Sequence, residues 1–206
     1  FEFYNPTRII FGKDTIPELK GHVPYGAEVL MCYGGGSIKR NGVYEQVITA
    51  LNGWDIHEFG GIESNPDYDT LMKAIDYGRK NNIDFILAVG GGSVIDGSKL
   101  IAAGIPLKEG DPWDIVTGEI KVKLGEAIPL GTVLTLPATS SEMNGTSVIS
   151  RRATDETYGW QSEAVFPVFS ILDPTTTYSL PKKQVRNGIV DAYVHVIEQY
   201  VTYPVN

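Results

Sequence analysis

An uninterrupted apolar run, DFILAV at 84–89, most constrains how this chain can fold. A strand without polar alternation is buried on both faces, as in parallel sheets covered by helices. The apolar run EVLMCY (28–33) predicts a second strand, WDIHEF (54–59) alternates like a strand, and TRIIFG (7–12) predicts a further short strand. Helical patterns follow at 41–53, 65–82 and 93–104. The alternation of strand and helix predicts an α/β fold, a Rossmann-like parallel sheet with flanking helices.

The pattern changes after Gly104. We expect loops over 105–127, a strand and a polar turn over 129–145, and a long helix over 180–202. Short strands or hairpin arms are expected at 147–152, 157–162 and 168–173. Because the last helix is apolar and differs from what precedes it, we predict one α/β domain at 1–180 and the start of a helical domain at 181–206.

Composition excludes several classes of protein. The net charge of −8 argues against nucleic acid or an anionic membrane as the main partner. No apolar stretch approaches the ~20 residues of a membrane span. Cys32 is the only cysteine, and its apolar neighbours indicate a buried small hydrophobe rather than a reactive thiol. We therefore expect a soluble, cytoplasmic protein.

Two loops share the sequence GGGS, at 34–37 and 90–93. Each follows an apolar strand, so both should lie at the carboxyl edge of the sheet, where open α/β folds bind ligands. Glycines let backbone N–H groups converge on phosphate oxygens, and a helix start adds partial positive charge. A tight turn without a ligand is the alternative. Neither loop has the spacing of GxGxxG or GxxxxGK[ST], which disfavours the standard dinucleotide fingerprint and the P-loop.

Two cations, Lys39 and Arg40, directly follow the first loop, although the chain is acidic. NAD sites in Rossmann folds usually place a carboxylate nearby to accept the ribose hydroxyls. Here we expect no carboxylate, only Ser37, Lys39 and free amides. This set suits the anionic 2′-phosphate that distinguishes NADP from NAD. A solvated pair of cations at a helix start is the alternative.

A second candidate site lies in VDAYVHVIE at 190–198. Asp191 and His195 are four residues apart, so both project from one face of a helix. Oxygen and nitrogen donors together suit a divalent metal such as Fe²⁺ or Zn²⁺. A surface carboxylate–imidazole pair is the alternative. Because the flanking residues are apolar almost all round, we expect this face to be buried.

Six ordered motifs resemble the iron-containing (group III) alcohol dehydrogenases: YNPTRIIFG, YGGGSIKRNGVYEQV, VGGGSVIDGSK, LPATSSEMN, FSILDP and VDAYVHVIEQYVT. Within that family the chain is most similar to the NADPH-dependent butanol dehydrogenase and aldehyde reductase branch. The resemblance implies a metal-dependent NADP(H) oxidoreductase that interconverts alcohols and aldehydes by hydride transfer. The metal would polarise the carbonyl or alkoxide oxygen. The resemblance also implies a small-molecule alcohol or aldehyde as substrate and a homodimer for the full-length protein.

The resemblance also assigns residues. The matching positions are Gly34, Gly35 and Ser37 at the adenosine ribose, Gly91, Gly92, Ser93 and Asp96 at the pyrophosphate, Thr135, Thr139, Ser141 and Asn144 along the cofactor, Leu180 near the nicotinamide, and Asp191 and His195 as metal ligands. Relatives that prefer NAD carry an acidic residue beside the first loop. Its absence here, with Lys39 following, favours NADP.

The chain departs from the family pattern at two positions. Ser140 stands where the family usually has glycine, so its bulk should shift the loop, and Thr157 stands where the family often has a lysine that reaches the cofactor. Family members are also longer, with further histidine ligands in the helical domain. We therefore expect 1–180 to be the dinucleotide-binding domain, 181–206 to be the truncated start of the metal-binding domain, and the chain alone to be inactive. A non-catalytic nucleotide-binding fragment and a relative of glycerol dehydrogenase or dehydroquinate synthase are the alternatives.

Overall fold

Residues 1–202, which the computed structural model describes, form eight strands and six α-helices. The strands are β1 (Arg8–Phe11), β2 (Glu28–Tyr33), β3 (Asp55–Phe59), β4 (Phe85–Gly91), β5 (Leu130–Leu136), β6 (Thr146–Arg151), β7 (Glu156–Gln161) and β8 (Phe169–Leu172). The helices are α1 (Ser37–Arg40), α2 (Val43–Ala50), α3 (Tyr68–Lys80), α4 (Gly92–Gly104), α5 (Pro112–Thr117) and α6 (Lys182–Thr202). Four short 3₁₀ helices complete these elements, at Ile16–Gly21, Ser141–Met143, Glu163–Val165 and Pro174–Ser179.

Six strands form one parallel sheet in the order β1–β8–β5–β4–β2–β3. The chain steps outward from β2 to β3, crosses back to β4 and continues through β5 to β8. The strand order therefore reverses between β2 and β4, which is where open α/β sheets bind ligands. Tyr33 of β2 is in register with Val89 of β4, so the two GGGS loops leave the sheet side by side. The predicted Rossmann-like fold is confirmed.

Strand β4 is the centre of the core. Its residues Phe85 to Val89 are buried, because helices cover both faces of the sheet. Side chains of α3 and α4 form one apolar layer, and those of α2 and the 3₁₀ helix Ile16–Gly21 form the other. Cys32 of β2 lies fully buried between them, as expected, and burial raises the pKa of its thiol to about 12.

Three segments differ from the sequence-based prediction. The stretch 105–127 is not all loop, because Asp111 caps α5 and forms a capping box with Asp114. The helix expected at 41–53 is present as the shorter α2, because Gly42 has a φ of 81° that prevents an earlier helical start, and a separate short helix, α1, precedes it. Strands β6 and β7 form the expected hairpin, whereas β8 lies inside the parallel sheet between β1 and β5.

The predicted last helix is present as α6, but its expected burial is wrong. No residue of α6 is buried, and even Ile189 and Val196 are about two-thirds exposed (65% and 66%). Every residue of α6 is exposed, so its apolar side chains lie largely uncovered by the rest of residues 1–202. Within the same range, none of the helices combines the length and the hydropathy that a membrane crossing requires.

Candidate functional site

The first GGGS loop leaves an open surface beside the sheet edge. Backbone hydrogen bonds from Gly61 to Gly34 (3.1 Å) and from Ile62 to Tyr33 (3.2 Å) hold its start in place. A Cβ added at Gly35 would meet nothing within 4 Å, and the backbone of Gly35 is not in the left-handed region. Neither packing nor conformation within the described chain requires glycine there. Absence of a side chain does let another molecule approach the backbone closely.

The second GGGS loop has structural reasons for its glycines. A Cβ at Gly90 would lie 2.6 Å from Val94 Cγ2, and one at Gly92 would overlap the side chain of Thr139. The loop that follows β5, residues 137–144, therefore packs directly on the start of α4. No side chain caps α4, so the N–H groups of its first turn have no such acceptor. Those groups and the helix dipole favour an anionic ligand at this point.

Asp96 connects α4 to the 137–144 loop. Its Oδ1 accepts a hydrogen bond from Ser141 Oγ (2.7 Å), and its Oδ2 accepts one from the backbone N–H of Val148 (3.0 Å). Ser141 Oγ also lies 2.7 Å from Thr139 Oγ1. Burial raises the pKa of Asp96, although both of these hydrogen bonds oppose that effect. Both carboxylate oxygens are thus used within the protein, and a direct contact of Asp96 with a cofactor stays a prediction.

Lys99 fixes the other end of this loop and was missed from the sequence. Its side chain is fully buried, and Nζ donates to Asn144 Oδ1 (2.9 Å) and to the carbonyl of Thr146 (2.7 Å). Burial lowers the pKa of Lys99 to about 8, and the nearby carboxylates of Asp96 and Glu142 only partly oppose this. The Asp-x-x-Lys spacing on α4 was the available signal, because residues three apart share a helix face.

A cleft of about 1040 Å³ separates the 137–144 loop from α6. Four of the predicted site residues line it together: Thr139, Leu180, Asp191 and His195. Thr135 is half-buried, near the end of β5. Ser140, where the family pattern has glycine, also lines the cleft and adopts the left-handed conformation (φ 55°).

The two predicted metal ligands lie side by side on α6. Asp191 Oδ1 and His195 Nε2 are 3.6 Å apart, and their side chains are 53% and 64% exposed. In the part of the chain that the structure describes, no three His, Cys, Asp or Glu side chains converge in a way that could hold a metal. The structure therefore shows the paired donors without a third protein ligand from residues 1–202.

A carboxylate does lie beside the first loop, so the expectation that none would be present is wrong. Glu58 of β3 lies opposite Met31 of β2, because the two strands are sheet neighbours. Glu58 Oε2 accepts hydrogen bonds from Lys39 Nζ and Tyr33 OH (both 3.0 Å), and Oε1 accepts one from Tyr44 OH (2.6 Å). A usable signal was present, because an acidic residue about 20 residues after the glycine loop is typical of dinucleotide sites.

Lys39 is held by aromatic rings as well as by this carboxylate. Its Nζ lies 4.9 Å from the ring centroid of Tyr33 and 4.5 Å from that of Tyr44, in cation–π geometry. Tyr33 and Glu58 both raise the pKa of Lys39. Partial burial raises the pKa of Glu58, but hydrogen bonds from Tyr44, Lys39 and Tyr33 outweigh it and leave that pKa below its usual range. At neutral pH the cluster therefore pairs one positive with one negative charge.

Comparisons with known proteins agree with this architecture. The sequence model of the family iron-containing alcohol dehydrogenase matches residues 6–174. The NADPH-dependent aldehyde reductase YqhD of Escherichia coli (strain K12) is 54% identical over 208 residues, covering 100% of this chain and 53% of that protein. A probable NADH-dependent butanol dehydrogenase 1 of Bacillus subtilis (strain 168) is 53% identical, covering 97% of this chain and 52% of that protein.

Solved structures of alcohol and aldehyde oxidoreductases are also similar to this chain. The crystal structure of Escherichia coli K-12 YqhD superposes with a TM-score of 0.91 at 53% identity, covering 100% of this chain and 53% of that one. The NADH-dependent butanol dehydrogenase A of Thermotoga maritima superposes with a TM-score of 0.89 at 43% identity, covering 96% of this chain and 50% of that one. The chain thus spans about half the length of these relatives. The chain belongs to the iron-containing alcohol dehydrogenase family.

Proposed function

We propose that this chain is the cofactor-binding half of a metal-dependent oxidoreductase that interconverts alcohols and aldehydes by hydride transfer, with NADP(H) as the cofactor. One observation carries the proposal. The two GGGS loops emerge side by side where the strand order reverses, and the open backbone of Gly35 has no reason within the described chain to be glycine. A dinucleotide lying across this edge would place phosphates at the first turn of α4 and its adenosine end at the first loop.

The preference for NADP(H) over NAD(H) is supported by Lys39 and by the name of one relative. Lys39 is the cation nearest the first loop, and it is 42% exposed, so an anionic 2′-phosphate could reach it. The Escherichia coli relative is named for NADPH and the Bacillus subtilis relative for NADH, at nearly equal identity. We expect NADPH to bind more tightly than NADH. The carboxylate of Glu58 should make this difference in affinity smaller than Lys39 alone would produce.

Asp191 and His195 are the residues that would hold the metal, Fe²⁺ or Zn²⁺. One carboxylate oxygen and one imidazole nitrogen, 3.6 Å apart on one helix face, fit such an ion as two of its ligands. When bound, the metal polarises the substrate oxygen, and the nicotinamide cofactor carries the hydride. The same cleft contains Leu180 and Thr139, so this side of α6 faces the loop that we assign to the cofactor.

The chain's own residues would bind the cofactor and orient it. Asp96 and Lys99 hold the 137–144 loop against α4, which keeps Thr139 and Asn144 in place beside the second glycine loop. Orientation of this kind is the protein's main contribution when a cofactor supplies the chemistry. We expect the proton to come from water or a cofactor hydroxyl.

Two ligands from a single helix would bind a metal weakly, because zinc sites in enzymes use three protein ligands or more. We therefore expect the 206-residue chain to be inactive, or nearly so, with NADPH and butanal. Activity comparable with that of a full-length relative would contradict this.

A nucleotide-binding protein without catalytic activity is the second candidate function. It predicts the same nucleotide binding, but no turnover of alcohol or aldehyde even in a longer form of the protein. The names of the relatives favour the alcohol dehydrogenase interpretation over a glycerol dehydrogenase-like one. A cytoplasmic location and a homodimer for the longer protein stay predictions.

The test of the cofactor site is a fluorescence titration of the chain and two glycine variants with NADPH. Gly35→Ala places a methyl group where the nucleotide would approach, so we expect affinity to fall about tenfold or more while the urea unfolding midpoint stays unchanged. Gly21→Ala is the matched control, because Gly21 also faces open space and lies at the end of the 3₁₀ helix Ile16–Gly21, outside both loops. Equal affinities for the two variants would contradict the proposed site.

A further inference from the structure

We propose that Glu58 sets the cofactor preference of this site by restraining Lys39, so that removing the negative charge of Glu58 strengthens NADPH binding selectively. The inference rests on the proposed function, because it needs the adenosine end of a dinucleotide at the first glycine loop. Lys39, Glu58, Tyr33 and Tyr44 form a cluster, here named the Lys39 cluster, at the carboxyl ends of β2 and β3 and along α1 and α2.

The two charges of the Lys39 cluster oppose each other. The ammonium of Lys39 and the carboxylate of Glu58 are 3.0 Å apart, so at several ångströms their opposite fields largely cancel. A 2′-phosphate is close to a dianion at neutral pH. It would therefore gain less from Lys39 while Glu58 keeps its charge than it would from Lys39 alone.

Both carboxylate oxygens of Glu58 accept hydrogen bonds. Its Oε1 already accepts from Tyr44 and its Oε2 accepts from both Tyr33 and Lys39. Three donors thus surround this carboxylate, and the ring of Tyr33 lies against Gly60, where an added Cβ would be 2.5 Å from Cε2. Glu58 is therefore placed to act through Lys39 and is a positioning residue.

A ligand can reach the Lys39 cluster from solvent. The side chains of Lys39 and Glu58 are 42% and 34% exposed, so a ligand can reach the pair without opening the fold. Lys39 packs over the rings of Tyr33 and Tyr44, and a glutamine at position 58 keeps a side-chain oxygen that can accept from a tyrosine hydroxyl. A neutral residue at position 58 would leave the ammonium close to its present position but without its counter-charge.

The variant that tests this is Glu58→Gln, which keeps the shape of the side chain and removes the charge. We expect the dissociation constant for NADPH to fall about three- to tenfold, the effect of leaving the unit charge of Lys39 without its counter-charge several ångströms from a dianion in water. Affinity for NADH should change by less than about twofold, and the gain for NADPH should shrink at high ionic strength.

Three further proteins make the test specific. Glu119→Gln changes the net charge equally at an exposed position in the loop after α5, and should bind both nucleotides like the wild type. Glu58→Asp keeps the charge and should retain the wild-type preference. In the double variant Glu58→Gln/Lys39→Gln the gain for NADPH should disappear, because Glu58 acts through Lys39.

Each other outcome overturns the proposal. Unchanged affinities in Glu58→Gln, or equal changes for NADPH and NADH, would show that the charge of Glu58 does not discriminate between the cofactors. Selective loss of NADH binding would make Glu58 a direct ribose ligand instead. If the wild type binds NADPH but Glu58→Gln behaves in any of these ways, only this inference fails. If the wild type binds neither nucleotide, the proposed function fails as well.

Discussion

Replacing Lys99 by methionine should change how the stability of this chain depends on pH. Lys99 is fully buried in α4, and its Nζ donates to Asn144 Oδ1 and to the carbonyl of Thr146. Burial lowers its pKa from 10.5 to about 8, with Asp96 and Glu142 opposing the effect. Methionine keeps most of the apolar stem and removes the titrating group.

The direction in which stability changes with pH follows from the number of protons that the folded and unfolded chains bind. Between pH 8 and 10.5 the unfolded chain keeps the Lys99 proton while the folded chain has lost it, so stability rises with pH across this window. At pH 7 both states are protonated and the folded state carries the full desolvation cost. The gap between 10.5 and about 8 corresponds to about 3 kcal/mol, an order-of-magnitude figure. Most of it should be recovered by about pH 10.

The assay is urea unfolding of the wild type and Lys99→Met at neutral pH and near pH 10. The wild type should gain about 2–3 kcal/mol relative to the variant between the two conditions. Cys32 and the tyrosines also titrate in alkali, but they are present in both proteins, so their effects cancel in the difference. Lys73→Met, at an exposed position of α3, is the control and should show no such gain. Parallel pH profiles for the wild type and Lys99→Met would refute the reasoning.

Two further predictions concern the 137–144 loop and the core. Ser140→Gly should raise the free energy of unfolding by about 0.5–1 kcal/mol, because Ser140 has a left-handed φ of 55° that glycine adopts without strain. Its thermal midpoint should rise accordingly, and a fall would show that the serine side chain stabilises the loop. The Cys32 thiol should react with a thiol reagent only after denaturant is added, because it is buried and burial raises its pKa to about 12. Rapid labelling of the native chain would contradict its burial.

Local sequence was enough to predict the sheet. The DFILAV run became the central strand β4, and each predicted strand before it is present with small changes at its ends. The reason is that burial on both faces leaves a continuous apolar signal that does not depend on distant residues. The position of β8 was harder, because VFSILD could pair locally or enter the sheet, and the choice depends on long-range contact with β1 and β5.

The candidate site was predicted less completely because its contacts are tertiary. Glu58 lies beside Lys39 only because β3 neighbours β2, and the sequence of neither strand determines which strand it pairs with. Lys99 matters because the loop after β5 folds back over α4, a contact between residues far apart in the chain. The apolar residues of α6 indicated burial, but an apolar pattern does not state which element packs against it.

The central claim is that the two glycine loops and Lys39 bind the phosphates of NADP(H). The measurement that tests it most directly is a fluorescence titration of the 206-residue chain with NADPH and with NADH under identical conditions. We predict saturable binding of both, with NADPH the tighter. Absence of binding, or a preference for NADH of about tenfold or more, would contradict the assignment of Lys39 to the 2′-phosphate.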